Sequence, residues 1–253
     1  MRILFIRHGD PDYVHDSLTE VGKKEAEALS QKLIHEKMDY LYSSPLGRAK
    51  ETAEYTLSKL GRTAKEYDFL REFWATLRLN EDPLLQELYP EIREDGKRIV
   101  WDMLPFGWKD DPNYYRRDTL KDTIIAKHGD LIECLEIAEN GFDALLETHG
   151  YKRKGNLYLC EDGNNDTIAI FCHFGITCVI LAHLWNMSPF VLWHTLAMAP
   201  TSITEVYTEE RKKGEVCFRA AKIGDCSHLY AAGITPSFSA RFCESFENDW
   251  ERH

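Results

Sequence analysis

The segment Ile3-Leu4-Phe5-Ile6-Arg7-His8-Gly9 joins a run of four apolar residues directly to an arginine, a histidine and a glycine. A short apolar run that ends at a glycine is typical of a buried central strand. In open α/β sheets, ligands bind at the carboxyl ends of the strands. We therefore predict a strand over residues 2–6 whose end presents Arg7 and His8 at a ligand site.

Two further segments repeat this arrangement. The apolar run Ile168-Ala169-Ile170-Phe171 is followed by Cys172-His173-Phe174-Gly175. A predicted strand over residues 39–43 is followed by Ser44-Pro45-Leu46-Gly47-Arg48, where the proline favours the start of a helix. Two histidines and two arginines at neighbouring strand ends would form a cationic pocket for a phosphate, with one imidazole free to attack it.

Strands and amphipathic helices alternate along most of the chain. Apolar side chains recur at helical spacing over residues 19–35, 130–147 and 176–185. Such alternation implies a mostly parallel sheet with helices on both faces. Near the C-terminus, residues 203–208 and 215–219 favour two antiparallel strands joined by a turn.

The three motifs, in this order, resemble the histidine phosphatase superfamily, also called the phosphoglycerate mutase-like family. The similarity extends from residue 1 to about residue 229 and is weakest between residues 73 and 128. It implies a single domain over residues 1–253, folded as a three-layer α/β sandwich with a cap inserted at residues 73–128. The alternative, that both histidines are ordinary core residues, requires three ordered motifs to arise by accident.

The resemblance also implies a role for each motif residue. His8 would be the nucleophile that forms a phosphohistidine, Arg7 and Arg48 would clamp the phosphoryl oxygens, and His173 would stabilise the transferred group. These residue types suit the tasks, because an imidazole with a pKa of about 6.5 is largely neutral at physiological pH. A guanidinium fork fits phosphate oxygens bidentately. Gly9 and Gly175 would allow close backbone approach.

The general acid is less narrowly defined. The family has a glutamate shortly after a leucine, and Leu70-Arg71-Glu72 matches this pattern, which indicates Glu72. Glu66, Asp68 and Glu87 are the competing carboxylates, and a surface position for Glu72 is the alternative. A raised pKa would support the acid role.

The loop after Gly9 departs from the family pattern. Many members have a serine, threonine or asparagine there as an additional phosphate ligand. No residue of the stretch 10–17 is a clear match, although Tyr13, His15 or Ser17 could reach the site. The stretch is also short compared with that of the phosphoglycerate mutases, which favours a hydrolase.

The segment 73–128 combines many charges and prolines with a high density of aromatic residues. Two interpretations remain open, and they are compatible: a lid that shapes substrate choice, or a hydrophobic cluster that only packs on the core. The aromatic residues are Phe73, Trp74, Tyr89, Trp101, Phe106, Trp108, Tyr114 and Tyr115.

Composition limits the classes of partner. The net charge of -11 argues against nucleic acid and against an anionic membrane surface. Seven cysteines, an odd number without a CxxC pair, favour a reducing, cytoplasmic compartment. Cys172 could be a nucleophilic thiol beside His173, but its apolar context favours a core role. We expect neither a signal peptide nor a membrane span.

These observations predict a metal-independent phosphomonoesterase, similar to histidine acid phosphatases, that needs no cofactor and acts on a small phosphorylated metabolite. A mutase-type phosphoryl transferase and a catalytically silent phosphate-binding module are the alternatives. A metallohydrolase is disfavoured, because the ten histidines form neither an HExxH motif nor a compact ligand cluster. The sequence does not determine the substrate or the oligomeric state.

Overall fold

We describe the protein from a computed structural model, which defines residues 1–89, 96–239 and 244–248. The strands are β1 (Arg2–Arg7), β2 (Pro11–Asp12), β3 (Ser17–Leu18), β4 (Tyr40–Ser43), β5 (Lys65–Glu66), β6 (Thr76–Arg78), β7 (Lys97–Ile99), β8 (Lys152–Lys154), β9 (Leu157–Leu159), β10 (Thr167–Cys172), β11 (Ile203–Lys212) and β12 (Glu215–Asp225). The α-helices are α1 (Glu20–Leu33), α2 (Gly47–Leu60), α3 (Pro83–Leu88), α4 (Ile124–Lys127), α5 (Leu131–Thr148), α6 (Phe174–Trp185), α7 (Pro189–Trp193) and α8 (Ser227–Ala231).

Eight strands form the central sheet in the order β5-β4-β10-β1-β11-β12-β9-β8. The pairs β5–β4, β4–β10 and β10–β1 are parallel, whereas the pairs β1–β11, β11–β12, β12–β9 and β9–β8 are antiparallel. The predicted α/β fold with antiparallel late strands is confirmed. The sheet is mixed and not mostly parallel as predicted, because β11, β12, β9 and β8 extend the same sheet through antiparallel pairs. Its parallel half is the half that includes all three motifs.

Side chains of β1 and β10 alternate between two hydrophobic clusters, one on each face of the sheet. Phe5 and Ile170 belong to the cluster that includes α5 and α6, while Leu4 and Phe171 belong to the cluster that includes α1 and α2. This alternation follows from the two-residue period of a strand. Because both faces are covered by helices, the architecture is the predicted three-layer sandwich.

Helix α1 shows why the predicted boundaries are close to the observed ones. The Thr19 side chain caps its first turn by accepting a hydrogen bond from the Gly22 amide at 3.1 Å. The buried face consists of small and apolar residues, including Ala26, Leu29 and Leu33. The helix directs its N-terminal end towards the loop that follows His8, so it supports the motif region directly.

The segment 73–128 consists of short elements: the antiparallel pair of β6 and β7, the helices α3 and α4, and several single turns of 3-10 helix. Its residues 90–95 lie outside the described part of the chain. Its buried apolar side chains, such as Phe73, Val100 and Tyr114, belong to the same cluster as α5 and α6. The segment therefore packs continuously with the main core. In the described residues, no helix combines the length and apolar character needed to cross a bilayer.

Candidate active site

The backbone of the parallel half brings the three motifs to one edge of the sheet. Arg7 lies opposite Cys172 in the register, and Ser43 lies opposite Phe171. The ladder continues one residue further, because the His8 amide donates to the Cys172 carbonyl at 3.0 Å. As a result, the imidazole rings of His8 and His173 lie with their centroids 5.0 Å apart.

His8 is buried and held in one tautomer. Its Nδ1 lies 2.7 Å from the Gly9 carbonyl oxygen, which can only accept a hydrogen bond. Nδ1 therefore holds the ring proton, and Nε2 keeps its lone pair. Burial, followed by the charges of Arg7 and Arg48, holds the pKa of His8 well below its usual value. The ring is consequently a neutral base at neutral pH, as a nucleophile requires.

Arg7 is buried, and two distant carbonyl groups orient its guanidinium. Nη1 donates to the Met198 carbonyl at 2.5 Å, and Nη2 donates to the Ser239 carbonyl at 3.3 Å. Burial lowers the pKa of Arg7, but a guanidinium stays protonated at physiological pH. The contact with Ser239 brings the C-terminal segment to the site, and no sequence signal indicated it.

Arg48 is the second residue of α2, and the loop after Gly9 contacts it. Its Nη1 donates to Asp16 Oδ1 at 2.6 Å, while Asp16 Oδ2 accepts from the Gly47 amide at 2.6 Å. The Tyr13 ring lies 5.5 Å from the guanidinium carbon. Of the loop residues expected to reach the site, Tyr13 therefore does so. The family pattern has neutral polar ligands in this loop, so Asp16 gave no comparable sequence signal.

The other two loop candidates occupy different positions. His15 is exposed, and its Nδ1 lies 2.7 Å from Asp12 Oδ2. Ser17 belongs to the short strand β3, which pairs with β2. Neither side chain has a hydrogen bond to a motif residue among the described contacts. Of the three residues that could reach the site, Tyr13 is therefore the one with a described contact to a motif residue.

His173 immediately precedes α6 and is fully buried. Its Nε2 lies 2.7 Å from Ser44 Oγ, whereas Nδ1 has no hydrogen-bond partner within the described residues. Burial, followed by repulsion between the two imidazoles if both were protonated and by the charges of Arg48 and Arg7, holds the pKa of His173 well below its usual value. His173 is therefore also neutral at neutral pH.

Glu72 is half-buried and lies against the first turn of α6. Its Oε1 accepts hydrogen bonds from the Phe73 amide at 2.9 Å and from the Ile176 amide at 3.1 Å. Burial raises the pKa of Glu72, and the two amides together with Arg7 and Arg48 only partly oppose this effect. The competing carboxylates Glu66, Asp68 and Glu87 are all exposed.

The two motif glycines are needed for different close contacts. A Cβ on Gly9 would lie 2.7 Å from the Gly22 carbonyl oxygen, so this glycine lets α1 pack against the loop. A Cβ on Gly175 would lie 2.5 Å from Trp101 Cη2 and 2.7 Å from Glu72 Oε1. The close approach at Gly175 therefore accommodates Glu72 and a tryptophan of the 73–128 segment.

Three aromatic rings, which we call the aromatic wall, lie beside Glu72: Phe73, Trp101 and Trp193. The Trp101 ring centroid is 6.0 Å from that of Phe73 and 5.4 Å from that of Trp193. Trp193 Nε1 also donates to the Gly175 carbonyl at 3.0 Å, which ties the wall to α6. The 73–128 segment thus reaches the site through Trp101.

Cys172 is a buried thiol of the core. Its Sγ lies 3.3 Å from Thr177 Oγ1, and burial raises its pKa to about 12. A thiol that is protonated at neutral pH is a poor nucleophile, so the expected core role fits the geometry. The six described cysteines are free, and Cys243 lies outside the described residues. Within those residues, no group of three or more His, Cys, Asp or Glu side chains could hold a metal ion.

Three buried nitrogen atoms at this site, two of them guanidinium donors, have no hydrogen-bond partner within residues 1–89, 96–239 and 244–248. They are Arg7 Nε, Arg48 Nε and His173 Nδ1. A buried polar group without a partner costs about 1–3 kcal/mol, so a cluster of such groups is typical of a site that binds an acceptor. Together with two guanidinium charges, these donors suit an anion with several oxygens, such as a phosphoryl group.

Comparison with known proteins gives a family match over part of the chain and solved structures of similar fold. Residues 3–95 match a family model described as "Histidine phosphatase superfamily (branch 1)". No curated protein is significantly similar to the chain. Among solved structures, a mutant phosphoserine phosphatase from Entamoeba histolytica in complex with phosphoserine aligns with a TM-score of 0.56 at 15% identity, covering 90% of this chain and 98% of that one.

Two further solved structures are similar over comparable lengths. Mycobacterial glucosyl-3-phosphoglycerate phosphatase in complex with VO3 has a TM-score of 0.55 and 16% identity, and the alignment covers 88% of this chain and 98% of that one. Bacillus stearothermophilus YhfR has a TM-score of 0.53 and 17% identity, with 90% and 98% covered. At these identities the similarity shows a shared fold.

Proposed function

We propose that the chain is a member of the histidine phosphatase superfamily, whose family model matches residues 3–95, and that it hydrolyses a small phosphate monoester through a phosphohistidine on His8. The observation that supports this most directly is the tautomer of His8. The hydrogen bond from Nδ1 to the Gly9 carbonyl leaves Nε2 unprotonated beside three unpartnered nitrogen atoms. A nucleophile and an anion site therefore adjoin each other.

In the first step, Nε2 of His8 attacks phosphorus, the nitrogen–phosphorus bond forms and the bond to the ester oxygen breaks. Arg7, Arg48 and His173 stabilise the negative charge on the three remaining oxygens. In the second step, water attacks the phosphohistidine, releases inorganic phosphate and restores the imidazole. Protein side chains supply every charge that these steps need, so the proposal includes no metal and no cofactor.

Glu72 is the general acid of this proposal. A proton on its carboxyl group passes to the leaving oxygen in the first step, and the resulting carboxylate accepts a proton from water in the second. Both described hydrogen bonds of Glu72 end on Oε1, so we assign the proton to Oε2. The raised pKa of Glu72 supports a protonated side chain at mildly acidic pH.

We propose further that residues 73–128 act as a cap that selects the alcohol portion of the substrate. Trp101 lies beside Glu72, where the leaving group must depart. A tryptophan face at this position favours alcohols with an apolar surface over small polar ones. The net charge of -11 and the free cysteines support a small phosphorylated metabolite, rather than a nucleic acid or an anionic membrane, as the partner, and a cytoplasmic location.

The decisive experiment measures the products from p-nitrophenyl phosphate and from a panel of phosphorylated metabolites. A phosphatase releases inorganic phosphate and alcohol in equal amounts, whereas a mutase yields an isomeric phosphate ester without inorganic phosphate. A silent binding module would bind phosphate and turn over none of these substrates. Either of the last two outcomes would overturn the proposal.

Helix α2 offers a matched pair of cationic variants for the same assay. Arg48 is buried at the site, whereas Lys50 is exposed and its Nζ lies 3.6 Å from Glu66 Oε2. We expect Arg48→Ala to lower kcat/KM by about 10²- to 10³-fold, since one stabiliser of the transferred charge is lost. Lys50→Ala should leave kcat/KM unchanged. Equal losses in the two variants would contradict a phosphate site at Arg48.

A further inference from the structure

Ser44 connects two of the motifs through its side chain. It lies between β4 and α2, is fully buried, and its amide donates to the Phe171 carbonyl at 2.8 Å. Its Oγ accepts a hydrogen bond from the Leu46 amide at 3.2 Å and lies 2.7 Å from His173 Nε2. The hydroxyl therefore lies between the start of α2 and the second histidine.

The donors and acceptors around Ser44 Oγ and His173 Nε2 indicate which of these two atoms is the donor. A serine hydroxyl has one proton, and no other acceptor for that proton is found among the described contacts of Ser44. If His173 Nε2 were protonated, the hydroxyl proton would have no acceptor and the Nδ1 lone pair would have no donor. If the hydroxyl donates to Nε2, the hydroxyl proton and Nε2 are both paired, and only the Nδ1–H group is left without a partner within the described residues.

A neutral imidazole has only one N–H group, so this bond has a consequence at the opposite side of the ring. With Nε2 accepting from Ser44, the ring proton resides on Nδ1. This atom is the buried one without a partner in the described structure. The permanent charges that surround the ring come from Arg7 at the end of β1 and from Arg48 on α2; these groups disfavour the doubly protonated ring.

We propose that Ser44 is a positioning residue that holds His173 as the Nδ1–H tautomer, so that Nδ1 donates a hydrogen bond to the phosphoryl group. This inference rests on the proposed phosphatase function. Both site histidines are then protonated at Nδ1 but act in opposite ways. His8 directs its proton to the Gly9 carbonyl and attacks with Nε2, whereas His173 gives Nε2 to Ser44 and presents its proton to the substrate.

The tautomer is measurable without any assay of activity. In protein labelled with nitrogen-15 histidine, a neutral ring gives distinct signals for its protonated and bare nitrogens. At neutral pH we expect His173 to have a protonated Nδ1 and a bare Nε2, with the resonances assigned by their loss in His173→Gln. Inorganic phosphate should shift the Nδ1 signal. A protonated Nε2 in the wild-type protein would overturn the proposal, whether or not the enzyme turns over.

The kinetic experiment compares two adjacent buried serines. Ser43 donates to the Ser44 carbonyl at 3.0 Å and has no described bond to either histidine. Ser44→Ala should lower kcat by about 10- to 100-fold, the effect of removing a group that orients a catalytic imidazole, with a smaller change in KM. The His173 signals should shift towards the Nε2–H form. Ser43→Ala should change neither, and Ser44→Thr, which keeps the hydroxyl, should restore the wild-type signals.

The outcomes separate the inference from the proposed function. An unchanged kcat and an unchanged tautomer in Ser44→Ala would overturn the role of Ser44, even if the enzyme is a phosphatase. Absence of wild-type turnover on all phosphomonoesters would instead overturn the proposed function, while the nitrogen-15 signals still decide the tautomer. If Ser44→Ala fails to fold, the wild-type spectrum alone decides the proposal.

Discussion

The parallel half of the sheet and the segment 73–128 meet at the same site, but they are built differently. In the parallel half, the ends of β1, β4 and β10 are set by backbone hydrogen bonds, which extend one residue beyond the strands to His8 and Ser44. In the 73–128 segment, short elements predominate, and Trp101 is positioned by contacts with Phe73 and Trp193.

This difference indicates that the two regions have different roles in the proposed reaction. A backbone ladder sets the spacing of the groups that touch phosphorus, and that spacing must be the same for every phosphate ester. Aromatic packing sets the surface that meets the alcohol, which differs from one substrate to the next. Substitutions in the parallel half should therefore affect all substrates alike, whereas substitutions in the 73–128 segment should affect some substrates only.

The largest effect is expected for His8→Ala, which removes the nucleophile. Loss of a catalytic nucleophile lowers kcat by about 10⁴-fold or more, and we expect this loss with every phosphate ester. Acid-sensitive phosphohistidine should be trapped on His8 in the wild-type protein with labelled substrate. The exposed His15, whose ring contacts Asp12, provides the control His15→Ala, which should remain active. Substantial turnover by His8→Ala would exclude His8 as the nucleophile.

The next largest effect is expected for Glu72→Gln and should depend on the leaving group. Loss of a general acid lowers the rate by about 10²- to 10⁴-fold for alkyl phosphates, whose alkoxides leave poorly. The kcat/KM with p-nitrophenyl phosphate, which reports the first step and not the hydrolysis of the phosphohistidine, should change much less. The exposed Glu87 offers the control variant Glu87→Gln. Equal losses on both substrates would redirect the search for the acid to Asp68 or Glu87.

The pH profile tests the same assignment. The acid must be protonated to act, so kcat/KM for alkyl phosphates should fall as the pH rises through the raised pKa of Glu72. On the acidic side, activity should persist below pH 6.5, because the lowered pKa of His8 keeps its ring neutral there. With p-nitrophenyl phosphate, whose leaving group needs little protonation, this alkaline decline of kcat/KM should be much smaller.

A smaller, selective effect is expected for Trp101→Leu. Removal of the indole from the aromatic wall should lower kcat/KM for aryl and other apolar phosphate esters by roughly tenfold. This loss is in line with the free energy of about 1–3 kcal/mol that a hydrophobic pocket contact contributes to discrimination between substrates. Methyl phosphate should be affected little. Phe106, an exposed aromatic residue of the same segment, gives the control Phe106→Leu. A uniform loss across substrates would instead assign Trp101 to the support of Glu72.

The smallest effect is expected for exhaustive chelation. Arg7, Arg48 and His173 supply the positive charge and the donors that a metal ion would otherwise provide. Dialysis against EDTA should therefore leave kcat unchanged, as measured before and after the addition of divalent ions. If EDTA abolishes turnover and a divalent ion restores it, the proposed mechanism is wrong.

Several features of the site were accessible only in part from the sequence. The order of the motifs predicted that Arg7, His8, Arg48 and His173 share one edge of the sheet, and the structure brings them together. The prediction of Glu72 as the general acid rested on the short pattern Leu70-Arg71-Glu72. The hydrogen bond that Glu72 accepts from the Ile176 amide joins residues that are far apart in the chain, so the pattern could not indicate it.

Other features had no local signal at all. Asp16 approaches Arg48 only because the loop after Gly9 folds against the start of α2, and Ser239 reaches Arg7 across almost the whole length of the chain. Ser44 was visible as part of a motif, but its bond to His173 depends on the pairing of β4 with β10. Such contacts depend on how distant segments pack against each other, and the spacing of residues along the sequence does not indicate this packing.

The sequence by itself determined the alternation of strands and helices, the strand ends at which the charged residues lie, and the types of residue available to bind phosphate. These properties are local, because a strand has a two-residue period and a helix a 3.6-residue period. Only the tertiary structure decided the tautomers of His8 and His173, the raised pKa of Glu72 and the position of Trp101. Each of these depends on burial and on hydrogen bonds between segments that meet only when the sheet has formed.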